Sequence, residues 1–181
     1  LSDFRYEGVI YRKDQHPVQY ERMLYFAPDV AKGKDGRYYL YYSVAHSSIM
    51  SVAVCDTPAG QYEYLGDVHD KTGHVIGSAA GDYYQFDPGV FVDDDGRVFL
   101  FSGFCPGKLE DEEGRRYVGC HMVELEEDML TVKAGPKVVI GRDTPDDIRY
   151  FEAPSMRKFH GKYYLIYSVR IGGLHYYISD K

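Results

Sequence analysis

The sequence predicts an all-β fold, and within that class a β-propeller of four-stranded antiparallel blades. Three observations predict it. Short runs rich in Tyr, Val, Ile and Phe recur between Gly, Asp and Pro, and no long stretch keeps apolar residues at the i, i+3, i+4, i+7 spacing of a helix. Lys34-Asp35-Gly36-Arg37, Asp94-Asp95-Gly96-Arg97 and His160-Gly161-Lys162 each lie between two apolar runs, as hairpin turns do. These hairpins sit inside a longer unit that occurs three times, and fixed-period repetition of strands is the signature of a propeller.

The repeat can be followed element by element. Phe26-Ala27-Pro28-Asp29-Val30 leads through the first turn into Tyr38-Tyr39-Leu40-Tyr41-Tyr42-Ser43. Phe86-Asp87-Pro88-Gly89-Val90-Phe91 leads through the second into Val98-Phe99-Leu100-Phe101-Ser102-Gly103, and Phe151-Glu152-Ala153-Pro154-Ser155-Met156 through the third into Tyr163-Tyr164-Leu165-Ile166-Tyr167-Ser168. The copies stand roughly 60 to 66 residues apart, room for a blade of ~40–50 residues plus loops. Outer strands are expected at Ser51 to Cys55 and Tyr62 to Gly66 in the first copy, at Tyr117 to Leu125 and Lys137 to Ile140 in the second, and at Leu174 to Ile178 in the third. Phe4-Arg5-Tyr6-Glu7-Gly8-Val9-Ile10 reads as the last strand of a preceding blade. The expected organisation is one incomplete domain over 1–181: the end of a blade at 1–13, blades at 24–70 and 84–141, and the start of another at 150–181. Two full and two partial blades are fewer than the roughly four to eight that close a propeller.

Composition narrows the function classes. With 44% hydrophobic and 27% charged residues the chain is that of a soluble globular protein, and no apolar run nears the ~20 residues that span a bilayer. A formal net charge of −7 argues against a nucleic-acid partner, which requires clustered Lys and Arg. Cys55, Cys105 and Cys120 form neither a disulfide framework nor a zinc spacing, which tilts the expectation toward a reducing, cytoplasmic compartment. The chain opens at Leu1 without a signal-peptide pattern and reads as a segment of a longer protein. Nineteen Tyr and nine Phe suit strand surfaces and the C–H faces of sugar rings alike.

Beside the proline of each copy lies a carboxylate: Asp29, Asp87 and Glu152. Innermost strands of a propeller face one channel, so repetition predicts three acids converging there. Glycoside cleavage needs such an arrangement, one carboxylic acid to protonate the leaving oxygen and a second carboxylate to activate water or attack. The bland alternative is that each acid only caps a turn.

The segments from Phe26 to Val30, from Gln85 to Val92 and from Phe151 to Ser155, in that order and with their hairpins, resemble the inner-strand motifs of glycoside hydrolase family 43, over nearly the whole chain. The resemblance implies a five-bladed propeller and hydrolysis, with inversion, of arabinose- or xylose-containing glycans, as by arabinanases, arabinofuranosidases and β-xylosidases. It implies that Glu152 is the general acid and that Asp87 orients it and tunes its pKa. Asp29 falls in a motif that shapes the substrate pocket. The family's catalytic base belongs to a first blade, and no residue here matches it, so activity is expected to require blades beyond this chain. No cofactor and no metal are implied.

Phe26, Phe86 and Phe151 precede the acids and either wall a pentose subsite or pack between blades; Phe26 and Phe86 are taken as substrate-binding candidates, with His46, which follows the first hairpin. Asp93-Asp94-Asp95-Gly96 lacks the full calcium-loop pattern and reads as a hairpin turn. The charged stretch from Glu110 to Arg116 reads as a solvated loop. The expected partner is a pentose-containing oligo- or polysaccharide. A second reading is a non-catalytic propeller module that binds glycan or protein, and a third is self-association through open blade edges.

Overall fold

The computed structural model describes residues 3–19 and 24–181. The described strands form three antiparallel meanders in chain order. The first joins β1 (Tyr25–Lys32), β2 (Tyr38–Val44), β3 (Met50–Cys55) and β4 (Glu63–Asp67). The second joins β5 (Gly89–Val92), β6 (Val98–Ser102), β7 (Gly119–Leu125) and β8 (Val132–Gly141), and the third joins β9 (Tyr150–Phe159), β10 (Lys162–Val169) and β11 (Leu174–Ser179). All three expected hairpins are present, at β1–β2, β5–β6 and β9–β10.

The apolar runs follow from how the sheets stack. Successive side chains of a strand point to opposite faces, so a strand buried on both faces reads as a continuous apolar run. In β2, Tyr39 and Tyr41 enter the seam with the second sheet, beside Met50, Val90, Leu100 and Val123. Leu40, Tyr42 and Val44 point the other way, where Tyr11 and Tyr62 cover them. A second seam sets Phe101, Cys120 and Ile140 against Tyr150, Leu165 and Tyr167. Each fully buried side chain of this size contributes about 1.5–3 kcal/mol, and a one-residue register slip would turn the whole set outward.

Polar ties cross both seams. The Tyr41 hydroxyl donates to the Met129 carbonyl at 2.6 Å. In the Asp93-Asp94-Asp95-Gly96 turn, Asp93 is buried and accepts from Lys158 Nζ at 2.7 Å and the Tyr163 hydroxyl at 2.6 Å. Burial works against its ionisation, yet these donors hold its carboxyl down at about 2. The turn expected there therefore also clamps the second sheet to the third.

One expected strand is absent. Residues 4–10 form no strand, and Phe4 and Tyr6 stand exposed; Leu1 and Ser2, at the head of the 1–13 segment, lie outside the described residues. Isolated strands leave their backbone donors and acceptors without a ladder, and no described strand lies alongside this one to supply it. The chain that follows lies instead across the first sheet. The Tyr62 N–H donates to the Ile10 carbonyl at 2.8 Å, and the Tyr11 and Tyr42 hydroxyls meet at 3.0 Å.

The two ends of the sheets differ. Short turns at 33–37, 93–97 and 160–161 close one end. The opposite end, where β1, β5 and β9 begin, carries the longer connections 68–88, 103–118 and 142–149. Functional groups concentrate on loops held by a rigid scaffold, which directs attention to that end.

Candidate active site

Each inner strand opens on the same backbone device. The residue before the proline has positive φ in all three copies: 43° at Ala27, 49° at Asp87 and 59° at Ala153. Such a conformation costs a residue with a Cβ roughly 1–2 kcal/mol and persists where the surroundings impose it. Close approach is one imposition: a Cβ on Gly89 would stand 2.2 Å from the Pro154 carbonyl oxygen, so β5 meets β9 backbone to backbone.

This device corrects the expected equivalence of the acids. Glu152 stands before the positive-φ residue, Asp87 is that residue, and Asp29 follows the proline. The three carboxylates are thus staggered around one backbone frame, and the structural counterparts of Glu152 are Phe26 and Phe86. A serine marks the match, since Ser43 pairs with Phe26, Ser168 pairs with Glu152, and Ser102 bonds Phe86.

The stagger brings two acids together. Asp87 is 6% exposed and Glu152 half-buried. Burial, and then the charge of Glu152, pushes the Asp87 carboxyl up to about 6, against a backbone hydrogen bond from Ala153 that favours the anion. Burial also raises Glu152. The like-charge repulsion between the two falls on the more buried partner, Asp87. The two carboxyls titrate as a pair, and the pair keeps a proton closer to neutral pH than a solvated carboxylic acid would. Tyr150 is buried close enough for both carboxylates to raise its pKa, and its hydroxyl donates to the Gly103 carbonyl at 3.0 Å.

Asp29 is outside this pair. Its Oδ1 accepts from the Val30 N–H at 3.0 Å and its Oδ2 from the Val90 N–H at 2.9 Å, so its carboxylate ties the first inner strand to the second. Any part it takes in shaping a pocket runs through the strand it holds.

Aromatic rings form a wall beside the acids. Phe26 packs on Phe86 with centroids 6.0 Å apart, Phe86 on Phe104 at 5.2 Å, and Phe104 on Phe151 at 5.2 Å. Phe104 continues the wall to Tyr117 at 5.7 Å, and Tyr84 packs at a tilt on Tyr117 at 4.8 Å. Sequence reasoning missed Phe104 and Tyr84; the available signal for Phe104 was its place just past Ser102, where the chain leaves β6 at the acid-bearing end. His46 sits exposed in the turn after β2 at this same end, with φ 61°. The 110–116 stretch proves more than a solvated loop. Arg115, 14% exposed, pairs with Asp111 and Glu113 at 2.6 Å each and lies 5.6 Å over the Tyr84 ring, bracing the wall from outside.

A family model described as Glycosyl hydrolases family 43 matches residues 1–179. A protein named Xylosidase/arabinosidase from Thermoclostridium stercorarium is 44% identical over 175 residues, covering 93% of this chain and 36% of the relative. Xylosidase/arabinosidase 43A of Humicola insolens is 30% identical over 98% of this chain and 59% of its own length. The solved structure of an alpha-L-arabinofuranosidase from Clostridium thermocellum matches 97% of this chain and 53% of its own with TM-score 0.67 and 25% identity. The chain therefore spans between about a third and three fifths of the length of these three relatives. From the repeated inner-strand turns, the paired acids and a family match that runs almost end to end, this chain belongs to family 43 of the glycosyl hydrolases.

Proposed function

We propose that this protein hydrolyses glycosidic bonds in xylose- or arabinose-containing glycans, with Glu152 as the general acid and Asp87 as the carboxylate that orients it and keeps it protonated. The observation that carries this is the buried Asp87 carboxyl beside the half-buried Glu152, at the end of the sheets where the long connections gather. Cleavage with inversion needs one carboxylic acid at the glycosidic oxygen and a second carboxylate, roughly 6.5–9.5 Å away, to activate water. Glu152 is the more accessible of the pair and so the one able to reach a leaving oxygen. Asp87, sealed behind it, acts by charge and by holding the Ala153 N–H. The wall of Phe26, Phe86 and Phe104 offers ring faces to the C–H faces of a pentose. Asp29 is engaged by two backbone donors and is not assigned as the water-activating base, which the family resemblance places in a first blade that no residue here matches.

The test is Glu152→Gln in the full-length natural protein. A lost general acid lowers kcat by ~10²–10⁴-fold. The loss should be larger on natural xylo- or arabino-oligosaccharides than on aryl glycosides, whose leaving groups need less protonation. Undiminished hydrolysis of both would overturn the role of Glu152. Binding of the oligosaccharides by wild-type protein without any turnover would favour the non-catalytic glycan-binding module.

A further inference from the structure

We propose that Ser43 and Ser102, on two different sheets, form a clamp that positions Asp87 against Glu152. This rests on the reading of Asp87 and Glu152 given above. Asp87 precedes the first residue of β5, so its backbone lies outside the ladder that fixes the rest of the second sheet. It also holds the unfavourable φ of 49° without a glycine. The Gly103 N–H donates to the Phe86 carbonyl at 2.9 Å and holds one side of this peptide, while the N–H groups of Phe86 and Asp87 are left to side chains.

Two hydroxyls take up those donors. Ser102 Oγ accepts from the Phe86 N–H at 2.9 Å and donates to the Phe86 carbonyl at 3.0 Å, closing a ring around that residue. Ser43 Oγ, reaching from the neighbouring sheet, accepts from the Asp87 N–H at 3.1 Å. Consecutive backbone donors are thus capped from opposite sides by side chains that are 0% and 1% exposed. Burial makes the geometry binding, because water cannot replace either hydroxyl and an unpaired buried N–H is unfavourable. The third serine of the repeat, Ser168, donates to the Glu152 carbonyl at 3.0 Å. Of the three serines it is Ser43 that works across a sheet boundary, so it couples the first sheet to the acid pair.

Ser43 and Ser102 do not touch the reacting atoms, and the test must separate positioning from packing. In the full-length natural protein, Ser43→Ala and Ser102→Ala are each compared with Asp87→Asn and with Ser51→Ala. Ser51 is another fully buried serine; it lies on β3 beside Met50, the strand partner of Ser43, but its hydroxyl bonds Asp67 rather than the turn at Phe86 and Asp87. Freed from the clamp, Asp87 turns away from Glu152 and Glu152 loses its protonated state at lower pH. The expected result is a 5- to 50-fold fall in kcat with KM within twofold, on the order of one lost buried hydrogen bond, together with an alkaline limb of the kcat/KM profile moved to lower pH. Ser51→Ala should lower thermal stability comparably without moving that limb. The clamp is overturned if Asp87→Asn lowers kcat and moves the limb while both serine variants match Ser51→Ala. If Asp87→Asn changes neither, the reading of the acid pair fails and the clamp with it. Because the serines lie in different sheets, a variant that does not fold leaves the other to decide.

Discussion

Ala27 and Asp87 occupy the same place in neighbouring sheets, each with positive φ, each followed by a proline, and each opposite a buried serine, yet only Asp87 carries a titratable group. In the first sheet the acid comes two residues later, at Asp29, where backbone N–H groups of Val30 and Val90 take up both its oxygens. In the second, the acid sits on the turn itself, where burial and then the charge of Glu152 raise its pKa. The turn is thus a structural device common to the copies, and the chemistry depends on which of its positions holds the carboxylate. Moving an acid by two residues converts a strand tie into the buried partner of a second carboxylate.

That contrast can be broken most sharply by paired substitutions. Asp87→Asn is expected to lower kcat by at least 10²-fold with little change in denaturation midpoint at neutral pH, whereas Asp29→Ala is expected to destabilise by about 1–3 kcal/mol, the penalty of leaving a buried donor unpaired, with kcat changed far less. Steady-state kinetics and urea denaturation of the two variants decide it; equal effects on both quantities would erase the distinction. At the small end, Ala27→Gly tests the backbone device alone. Relief of the left-handed conformation, partly offset by the extra chain entropy of glycine, should stabilise by up to about 1 kcal/mol, seen as a raised melting temperature. A clear loss of stability there would mean that φ is not where the turn stores its strain.

Much of this was legible in the sequence because it is local. Lys34-Asp35-Gly36-Arg37 announces its hairpin by composition, and the run Tyr38-Tyr39-Leu40-Tyr41-Tyr42-Ser43 announces a strand buried on both faces. Asp87 and Glu152 stood out by their places beside repeated prolines. The rest depends on contacts between residues far apart in the chain. Whether residues 4–10 pair as a strand depends on a neighbour that local composition does not name. Phe104 joins the wall only because 103–118 folds back over the turn at Phe86. The stagger of the acids is masked in the sequence because Phe151 is out of step by one residue with Phe26 and Phe86; φ and the serine bonds reveal the true register. Arg115 looked solvated because its neighbours in sequence are charged, while its ring partner Tyr84 lies on another loop.

The central claim is that Asp87 and Glu152 share a proton, and the pH dependence of kcat/KM tests it most directly. Asp87 pushed up to about 6 and Glu152 raised with it mean that the pair releases its last proton later than a lone carboxylic acid, so activity should persist up to an alkaline limb set by that release. In Asp87→Asn the mutual repulsion is gone, so the pair's last proton leaves more readily and the limb should move to lower pH. An alkaline limb that stays in place in Asp87→Asn would contradict the account, for it would mean that the two carboxylates do not feel one another in the working protein.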